Sequence, residues 1–245
     1  MRAGYRAWTA AIFGSSIIAY IVLPTAALAR AGGGMGAAGG PLGLGGLLWP
    51  DWFRWLVLPL VVVGLVATAL VAIWKNIESR RLLAKLRRAD GSWDVDAINS
   101  RVERAYFKVQ QAWTERDQEI ARDYLSPYLF EKHKRRTDEM IEQGRRNVLE
   151  NIRLRRARIV GVRDRVADSK DRIWVRIDGT MIDYIVDDKT GELVSGSRSQ
   201  PVRFTELWSF VRSESGWVLD GISQNAGALN LLTLQNSAEG ARDGA

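Results

Sequence analysis

The sequence predicts an α+β domain carried behind a membrane-spanning helix. The chain has 35 Lys and Arg and 28 Asp and Glu residues, yet only five of these charges lie in residues 1–74. That asymmetry separates an apolar front from a charged remainder that is long enough to bury one core. After Gly144 the spacing of apolar residues changes from a helical period to a strand-like alternation, so helices are expected before strands.

Residues 1–29 have the organisation of a signal peptide. A short basic start precedes 17 uncharged, mostly apolar residues, 7–23. The small residues Ala27 and Ala29 then fit the pattern that signal peptidase cleaves. An uncleaved membrane segment is the alternative, since this stretch is near the short limit for a span. Residues 30–48 follow as a Gly-rich linker, whose composition favours a flexible spacer.

Residues 53–74 are predicted to form one transmembrane helix. The 20 residues from Trp55 to Trp74 carry no charge, and at a rise of about 1.5 Å per residue they span roughly 30 Å, the thickness of a bilayer core. Trp at both ends fits the aromatic belts of membrane helices. The excess of Lys and Arg after Trp74 predicts that the C-terminal domain faces the cytoplasm.

A basic juxtamembrane segment, residues 75–92, follows the predicted span. Its cations alternate with apolar residues such as Ile77, Leu83 and Leu86, so a helix here would have an apolar stripe beside a basic flank. We expect the segment to lie on anionic headgroups, although charges that merely set topology would look similar. The predicted lipid-binding residues are Lys75, Arg80, Arg81, Lys85, Arg87 and Arg88.

Three helices are predicted at the start of the soluble domain. Asp94 is placed to cap a helix that runs to about Arg116 with one broad apolar face. A second, short helix is expected to end before Pro127, and a third is expected over residues 128–143. Gly144 closes the third helix.

Strands are predicted over the second half of the domain. The expected segments are residues 151–162, 171–187, 200–212 and 217–224, joined by turns at residues 187–191 and 213–216. Gly179 is expected to form a bulge within the second strand. A long, bulged antiparallel sheet wrapped on helices would make a half-open cone with an apolar pocket.

Three sequence motifs carry a resemblance to a known family. They are Val109-Gln110-Gln111-Ala112-Trp113 with Asp117, then Phe204-x-Glu206-x-Trp208-x-Phe210-x-Arg212, then Trp217-x-Leu219-x-x-Ile222-x-Gln224. Over about residues 94–225 the chain resembles the Tim44-like domain family, which includes the mitochondrial ribosomal L45-like proteins. The signal segment, Gly-rich spacer and single span are similar to those of bacterial members.

The resemblance implies a fold, a location and partners. It implies an NTF2-like or cystatin-like cone over residues 93–226, with residues 227–245 as a C-terminal tail. It also implies a single-pass protein of the bacterial inner membrane that associates with cardiolipin-like anionic phospholipid and with a membrane protein or translocase component. In mitochondria the family links an Hsp70 motor to the protein-import channel.

The residue inventory argues against catalysis. The chain has no Cys and one His, which removes thiolate chemistry and leaves little room for metal-site or catalytic-triad chemistry. No catalytic, cofactor-binding or metal-binding residue is predicted, and His133 is expected on the surface within a basic run. The residues assigned to the pocket or core motif are Trp113, Phe204, Glu206, Trp208, Phe210 and Trp217.

Glu206 is the unusual member of that motif, because it shares a strand face with aromatic residues. A carboxylate in such surroundings needs a partner. We expect Arg176, Arg203 or Arg212 to pair with it. The alternative is a pocket acid that works with Asp183 or Tyr184.

These observations favour a non-enzymatic, membrane-anchored binding module that contacts anionic lipid and a protein partner during protein transport or membrane-protein assembly. The dense arginines of residues 132–165 would suit a lipid surface or a nucleic acid, and the neighbouring anchor favours lipid. The alternative function is an NTF2-fold enzyme or carrier that acts on an apolar small molecule in the cone.

Overall fold

A computed structural model describes residues 51–224 and 226–239 of the chain. The predicted signal peptide and Gly-rich linker lie outside these residues. The chain divides into two compact units, residues 1–68 and 69–245. In the first unit, the described residues 51–68 are helical throughout. The second unit, called the domain below, contains every other element.

The described residues form four α-helices and six β-strands. They are α1 (Asp51–Ala89), α2 (Val95–Glu115), α3 (Pro127–Glu142), β1 (Arg145–Asp164), β2 (Arg172–Asp187), β3 (Leu193–Gly196), β4 (Val202–Ser213), β5 (Gly216–Ser223), α4 (Ala228–Thr233) and β6 (Ser237–Ala238). Short 3-10 helices occupy Gly91–Trp93, Gln118–Tyr124 and Asp168–Lys170.

The strands form one mixed sheet in the order β5-β4-β2-β1-β6, with β3 also paired to β2. All pairings are antiparallel except that of β1 with β6. Helices α2 and α3 contribute to one core with the sheet. The α+β class predicted from the change of period at Gly144 is therefore confirmed.

Helix α2 begins and ends as its sequence predicts. The Asp94 carboxylate caps the first turn by accepting hydrogen bonds from the backbone N–H groups of Asp96 and Ala97, both at 2.9 Å. Arg116 ends the helix in a left-handed conformation with φ of 56°. The buried face consists of Ile98, Val102, Ala105, Tyr106, Val109 and Ala112.

The two faces of the sheet have different surroundings. On the inner face, Ile173, Val175 and Ile177 of β2 are fully buried and belong to the core that the helices share. Their register partners on β4 are Phe210, Trp208 and Glu206, respectively. The outer face carries the alternate residues of the same strands, because side chains alternate along a strand.

The predicted bulge at Gly179 is wrong, because the irregularities lie on the partner strand. Register shifts in β1 fall between Glu150 and Arg153, between Leu154 and Arg156, and between Ile159 and Gly161. Such bulges bend a strand and increase its twist, which curls the sheet. A Cβ at Gly179 would lie 2.4 Å from Cζ of Phe204, so this glycine makes room for an aromatic ring.

The first strand is longer than the sequence predicted, and β3 was not predicted at all. Strand β1 begins at Arg145, directly after Gly144, whose φ is 61°. All four residues of β3 are exposed. Neither the added start of β1 nor β3 has the alternation of apolar and polar residues that marks a half-buried strand, so the residue pattern did not predict them.

The C-terminal residues contribute to the fold. Residues 227–245 were expected to form a C-terminal tail, but Ser237 and Ala238 within it pair in parallel with Arg163 and Asp164. The side-chain oxygen of Asn236 fixes this segment by accepting a hydrogen bond from the Val162 N–H at 2.7 Å.

Candidate functional site

One helix in the described part of the chain is long and apolar enough to cross a membrane. It is Pro59–Ala89, with an 18-residue window of mean hydropathy 2.1 of which 11% is buried. Large apolar side chains of this stretch are exposed, among them Leu60 at 70% and Val63 at 63%. A helix surrounded by water would not expose such a surface, so the finding indicates membrane association.

The part of α1 that follows this stretch is packed into the domain. Leu83 is 0% and Leu86 is 2% exposed, and both belong to the main core. Asn76 also binds the domain, since its Nδ2 donates to the Ile159 carbonyl at 2.8 Å. Ile77, by contrast, is 44% exposed. Much of the apolar stripe expected on lipid is therefore turned toward the sheet and helices of the domain.

The six predicted lipid-binding cations are placed differently from one another. Lys75 is only 5% exposed; its Nζ donates to the Leu234 carbonyl at 2.7 Å and lies 3.1 Å from the Glu78 carboxylate. The other five are exposed: Arg80, Arg81, Lys85, Arg87 and Arg88. Arg87 also pairs with Asp94 at 2.8 Å. Lys75 thus fastens α1 to the C-terminal segment, and lipid binding by the exposed cations remains a prediction.

Helix α4 covers a second, smaller apolar cluster beside α1. Its Leu231 is fully buried together with Ala72, Val160 and Leu207. Leu229 and Leu232 of the same helix are 81% and 50% exposed. The run of leucines after Gly227 was the available sequence signal for this helix. The run is too short to show the repeat of apolar residues that predicts an amphipathic helix.

Most of the aromatic motif forms the core. Trp208 and Phe210 are 0% exposed, with ring centroids 6.4 Å apart. The Trp217 ring lies 5.1 Å from Trp93 in an edge-on contact. Phe204 is half-buried over Gly179. These four residues of the predicted set pack within one interior around α2, as aromatic residues that hold a core together do.

Trp113 lies apart from them, near the C-terminal end of α2. Its Nε1 donates to Oδ1 of Asn147 at 3.1 Å, and its ring lies 5.4 Å from the ring of His133. The expectation of a surface histidine is wrong, because His133 is half-buried against this ring. Burial, with a smaller contribution from the nearby Lys132 charge, lowers the pKa of His133 to about 4. The imidazole is therefore neutral at pH 7.

Glu206 accepts a hydrogen bond from Trp208 Nε1 at 2.8 Å. The predicted pairing with an arginine is wrong for the described residues. Arg176 and Arg203 lie on the opposite face of the sheet, and Arg212 pairs with other carboxylates. Burial raises the pKa of Glu206. The indole N–H alone does not restore the solvation that a carboxylate loses on burial.

Glu206 also affects Tyr106 of α2. Burial first, and the nearby Glu206 charge second, raise the pKa of the Tyr106 phenol. The Tyr106 hydroxyl is buried and has no hydrogen-bond partner among the described residues. The Tyr106 hydroxyl and the Glu206 carboxylate are therefore poorly solvated polar groups in the interior of the domain.

Replacing Glu206 with glutamine should stabilise the domain at neutral pH. The folded pKa of Glu206 is raised, so the folded state holds the proton more tightly than the unfolded state does. Its stabilising contribution is present below the unfolded pKa and is lost as pH rises through the folded pKa. Gln keeps an acceptor for Trp208, so the E206Q chain should gain roughly 1 kcal/mol at pH 7.

Urea denaturation of the full chain in detergent, measured at pH values from 4 to 8, would check this prediction. The difference between E206Q and the natural chain should shrink toward acid pH. Exposed Glu214, changed to Gln, serves as the control. A loss of stability in E206Q at pH 7 would mean that the carboxylate has a stabilising partner.

Arg212, the last residue of the same motif, joins three acidic residues. Its guanidinium lies 2.7 Å from Asp90, 3.2 Å from Asp171 and 3.3 Å from Asp168. Asp171 is fully buried, and burial raises its pKa against the opposing effects of its hydrogen bonds. Asp90 directly follows α1, so Arg212 connects the end of that helix to β4 and to the start of β2.

One cavity of about 290 Å³ lies between the C-terminal end of α2, the N-terminal part of β1, the C-terminal part of β2 and the segments on either side of β3. Its lining residues are Thr114, Arg146, Val148, Glu150, Tyr184, Val186, Gly191 and Arg198. The Tyr184 hydroxyl donates to Glu150 at 3.0 Å, and the Arg198 guanidinium lies 5.4 Å from the Tyr184 ring centre. Charged side chains line this space, which differs from the apolar pocket predicted from the sequence.

The polar residues of the alternative catalytic site do not meet. Asp183 accepts a hydrogen bond from Asn147 at 2.8 Å, while Tyr184 lines the cavity. Glu206 is opposite Ile177 of β2. Because Asp183 follows Ile177 by six residues on that strand, Glu206 and Asp183 are separated by roughly 20 Å along the strand direction. Within the described ranges, no group of three or more His, Asp or Glu residues could hold a metal ion.

An exposed apolar helix that continues into a curled α+β domain indicates a membrane-associated protein. The chain belongs to the Tim44-like domain family, whose model matches residues 79–224. No curated protein matches the sequence. Among solved structures, the intermembrane space region of the chloroplast protein ARC6 is similar, with 13% identity, a TM-score of 0.39, and coverage of 53% of this chain and 95% of that one.

Proposed function

We propose that this chain is a membrane-anchored scaffold of the bacterial inner membrane. Its Tim44-like domain faces the cytoplasm, binds anionic phospholipid and holds a membrane protein or translocase component at the membrane surface during protein transport or membrane-protein assembly. The domain acts by binding rather than by catalysis, and its curled sheet with packed helices forms an NTF2-like cone.

The packing of α1 carries this proposal. Ala72 lies within the uncharged stretch that ends at Trp74 and is already buried against the domain. Leu83, nine residues after Trp74, is in the main core, and nine helical residues span only about 14 Å. The domain is thus attached next to the end of the predicted span without a flexible linker. A binding surface held in this way stays at the membrane.

Two surface features near this attachment support contact with lipid. Five of the juxtamembrane cations are exposed, and each cation near an anionic surface contributes about 1 kcal/mol. Leu229 and Leu232 of α4 expose apolar surface beside the cluster that includes Ala72. Apolar side chains next to exposed cations suit the boundary between headgroups and acyl chains.

The protein partner is proposed from the family, since Tim44-like domains in general bind membranes and protein partners. The rival function, an enzyme or carrier for an apolar small molecule, has less support. The cavity is lined by charged residues such as Arg146, Glu150 and Arg198, and Glu206 is not beside it. An apolar ligand there would displace water from charged side chains and offer them no hydrogen bond in exchange, which is unfavourable.

A single-cysteine experiment tests the sidedness on which this function depends. The chain has no Cys, so Lys189→Cys, in the exposed turn after β2, introduces one thiol into the full chain. A maleimide that does not cross membranes should label it only after spheroplasts are permeabilised. Leu48→Cys, before the predicted span, should be labelled in intact spheroplasts. Labelling of Lys189→Cys in intact spheroplasts would overturn the proposed orientation and its cytoplasmic partners.

A further inference from the structure

Two arginines lie directly opposite each other on the outer face of the sheet. Arg158 of β1 is the register partner of Arg176 of β2. Both side chains are half-buried, so water screens their charges only in part. Like charges directly opposite each other on neighbouring strands destabilise a sheet. Arg156, two residues earlier on β1, adds a third positive charge opposite Asp178.

The surrounding residues compensate this charge incompletely. Arg176 Nη2 lies 3.6 Å from an Asp178 oxygen, and the same oxygen also accepts a hydrogen bond from Thr205 at 2.8 Å. The Arg176 side chain is 15% exposed, and its Nε is buried without a hydrogen-bond partner among the described residues. Burial, and next the Arg156 charge, lower the pKa of Arg158. One carboxylate therefore faces three guanidinium groups.

These arginines lie beside the part of the domain that is packed against α1. Strand β2 lies between β1 and β4, so Arg176 is also paired in register with Leu207 of β4. Leu207 belongs to the apolar cluster that contains Ala72 and Leu231. Ala72 is within the uncharged stretch that ends at Trp74, so the arginine group lies close to the proposed membrane surface.

We propose that Arg156, Arg158 and Arg176 bind the phosphate group of a ligand, which is either a phospholipid headgroup or free inorganic phosphate. Planar guanidinium groups bind phosphate oxygens through paired, charge-assisted hydrogen bonds. A phosphate between Arg158 and Arg176 replaces their repulsion with attraction and gives Arg176 Nε an acceptor. The phosphate site is argued from the sheet register and from the incomplete pairing of Arg176, and only the lipid source rests on the proposed function.

The first test uses the full chain in micelles of a non-ionic detergent that contains no phosphate group, because zwitterionic phospholipids would themselves present phosphate to the site. Inorganic phosphate is titrated at constant ionic strength against chloride, and the unfolding temperature is measured. Phosphate should raise the unfolding temperature saturably. Arg158→Met should raise the half-saturating phosphate concentration about tenfold, because a hydrogen bond between charged groups is lost. The same variant should unfold at a higher temperature than the natural chain when phosphate is absent, because the repulsion is relieved.

Two further variants separate the site from a general effect of charge. Arg176→Lys keeps the charge but loses the planar fork, so it should weaken the phosphate response while the domain stays folded. Arg135→Met removes an exposed charge from α3 and should leave the response unchanged. No stabilisation beyond that of chloride, or equal losses in Arg158→Met and Arg135→Met, would overturn the proposal.

The source of the phosphate is read from nanodiscs that contain anionic phospholipid. If headgroups fill the site, added phosphate should stabilise the natural chain no further in these nanodiscs. If phosphate stabilises it equally in the phosphate-free micelles and in these nanodiscs, the ligand is free phosphate. The sidedness measured through Lys189→Cys is independent of either result, so failure of the phosphate site and failure of the proposed orientation are distinguishable.

Discussion

Replacing Arg212 with methionine should destabilise the domain by about 3–5 kcal/mol, since removing one partner of a buried ion pair leaves an uncompensated charge. The uncompensated charge is that of Asp171, which is 0% exposed. Asp171 would keep a hydrogen bond from the Arg165 N–H at 2.8 Å, but it would lose the Arg212 guanidinium at 3.2 Å. The variant also releases Asp90, so α1 should loosen from the sheet.

Urea denaturation of the full chain in detergent measures this loss. Arg172→Met is the matched control, because Arg172 neighbours Asp171 but is 34% exposed in its pair with Asp220, and exposed pairs contribute about 0–1 kcal/mol. Adding Asp171→Asn to Arg212→Met should recover part of the loss by removing the buried charge. Equal effects of Arg212→Met and Arg172→Met would show that the Arg212 cluster is well solvated.

Truncating Leu83 to alanine should cost about 2–5 kcal/mol of domain stability, the usual range for a leucine removed from a packed core. Leu83 is 0% exposed and belongs to the same core as Tyr106 and Trp208. The prediction distinguishes an apolar juxtamembrane stripe that packs into the domain core from one that lies on lipid headgroups. If Leu83 lay on lipid headgroups, its truncation would weaken membrane contact and leave the unfolding of the domain unchanged.

The matched control is Ile77→Ala, on the same helix at 44% exposure, which should lower stability by less than about 1 kcal/mol. Both variants are compared by urea denaturation in detergent, with near-ultraviolet circular dichroism reporting on the tryptophan environment. An unfolding midpoint of Leu83→Ala within error of Ile77→Ala would contradict the packing of α1 into the domain, and with it the main support for the proposed scaffold.

Helices of the domain were the most predictable elements, because their signals are local. The Asp94 side chain caps α2 through backbone groups two and three residues away, so neighbouring letters of the sequence suffice. Strand β3 gave no periodic signal in the sequence, and helix α4 gave a weak one. Each is short, and α4 is held by Val160 and Ala72, which are distant in sequence. Short elements depend on tertiary contacts that periodicity does not report.

For the candidate sites, too, local sequence features were predictable and contacts between distant residues were not. The family that the aromatic motif indicates was visible in the sequence, and the family match confirms that family. The partners of Arg212 and Glu206 were not predictable, since Asp90 is 122 residues from Arg212 and Glu206 turned out to use an indole rather than an arginine. The opposition of Arg158 and Arg176 needed the register, which the β1 bulges shift in ways that a pattern of residue types does not specify.

By itself, the sequence determined the class of the fold, the apolar helix and the family, because composition, periodicity and motif spacing are properties of the linear chain. Only the tertiary structure decided which side of α1 is buried, that Lys75 is fixed inside the domain, and which charges oppose one another across the sheet. The physical reason is that burial and cross-strand pairing depend on what packs alongside a residue, and here those neighbours come from segments far apart in the chain.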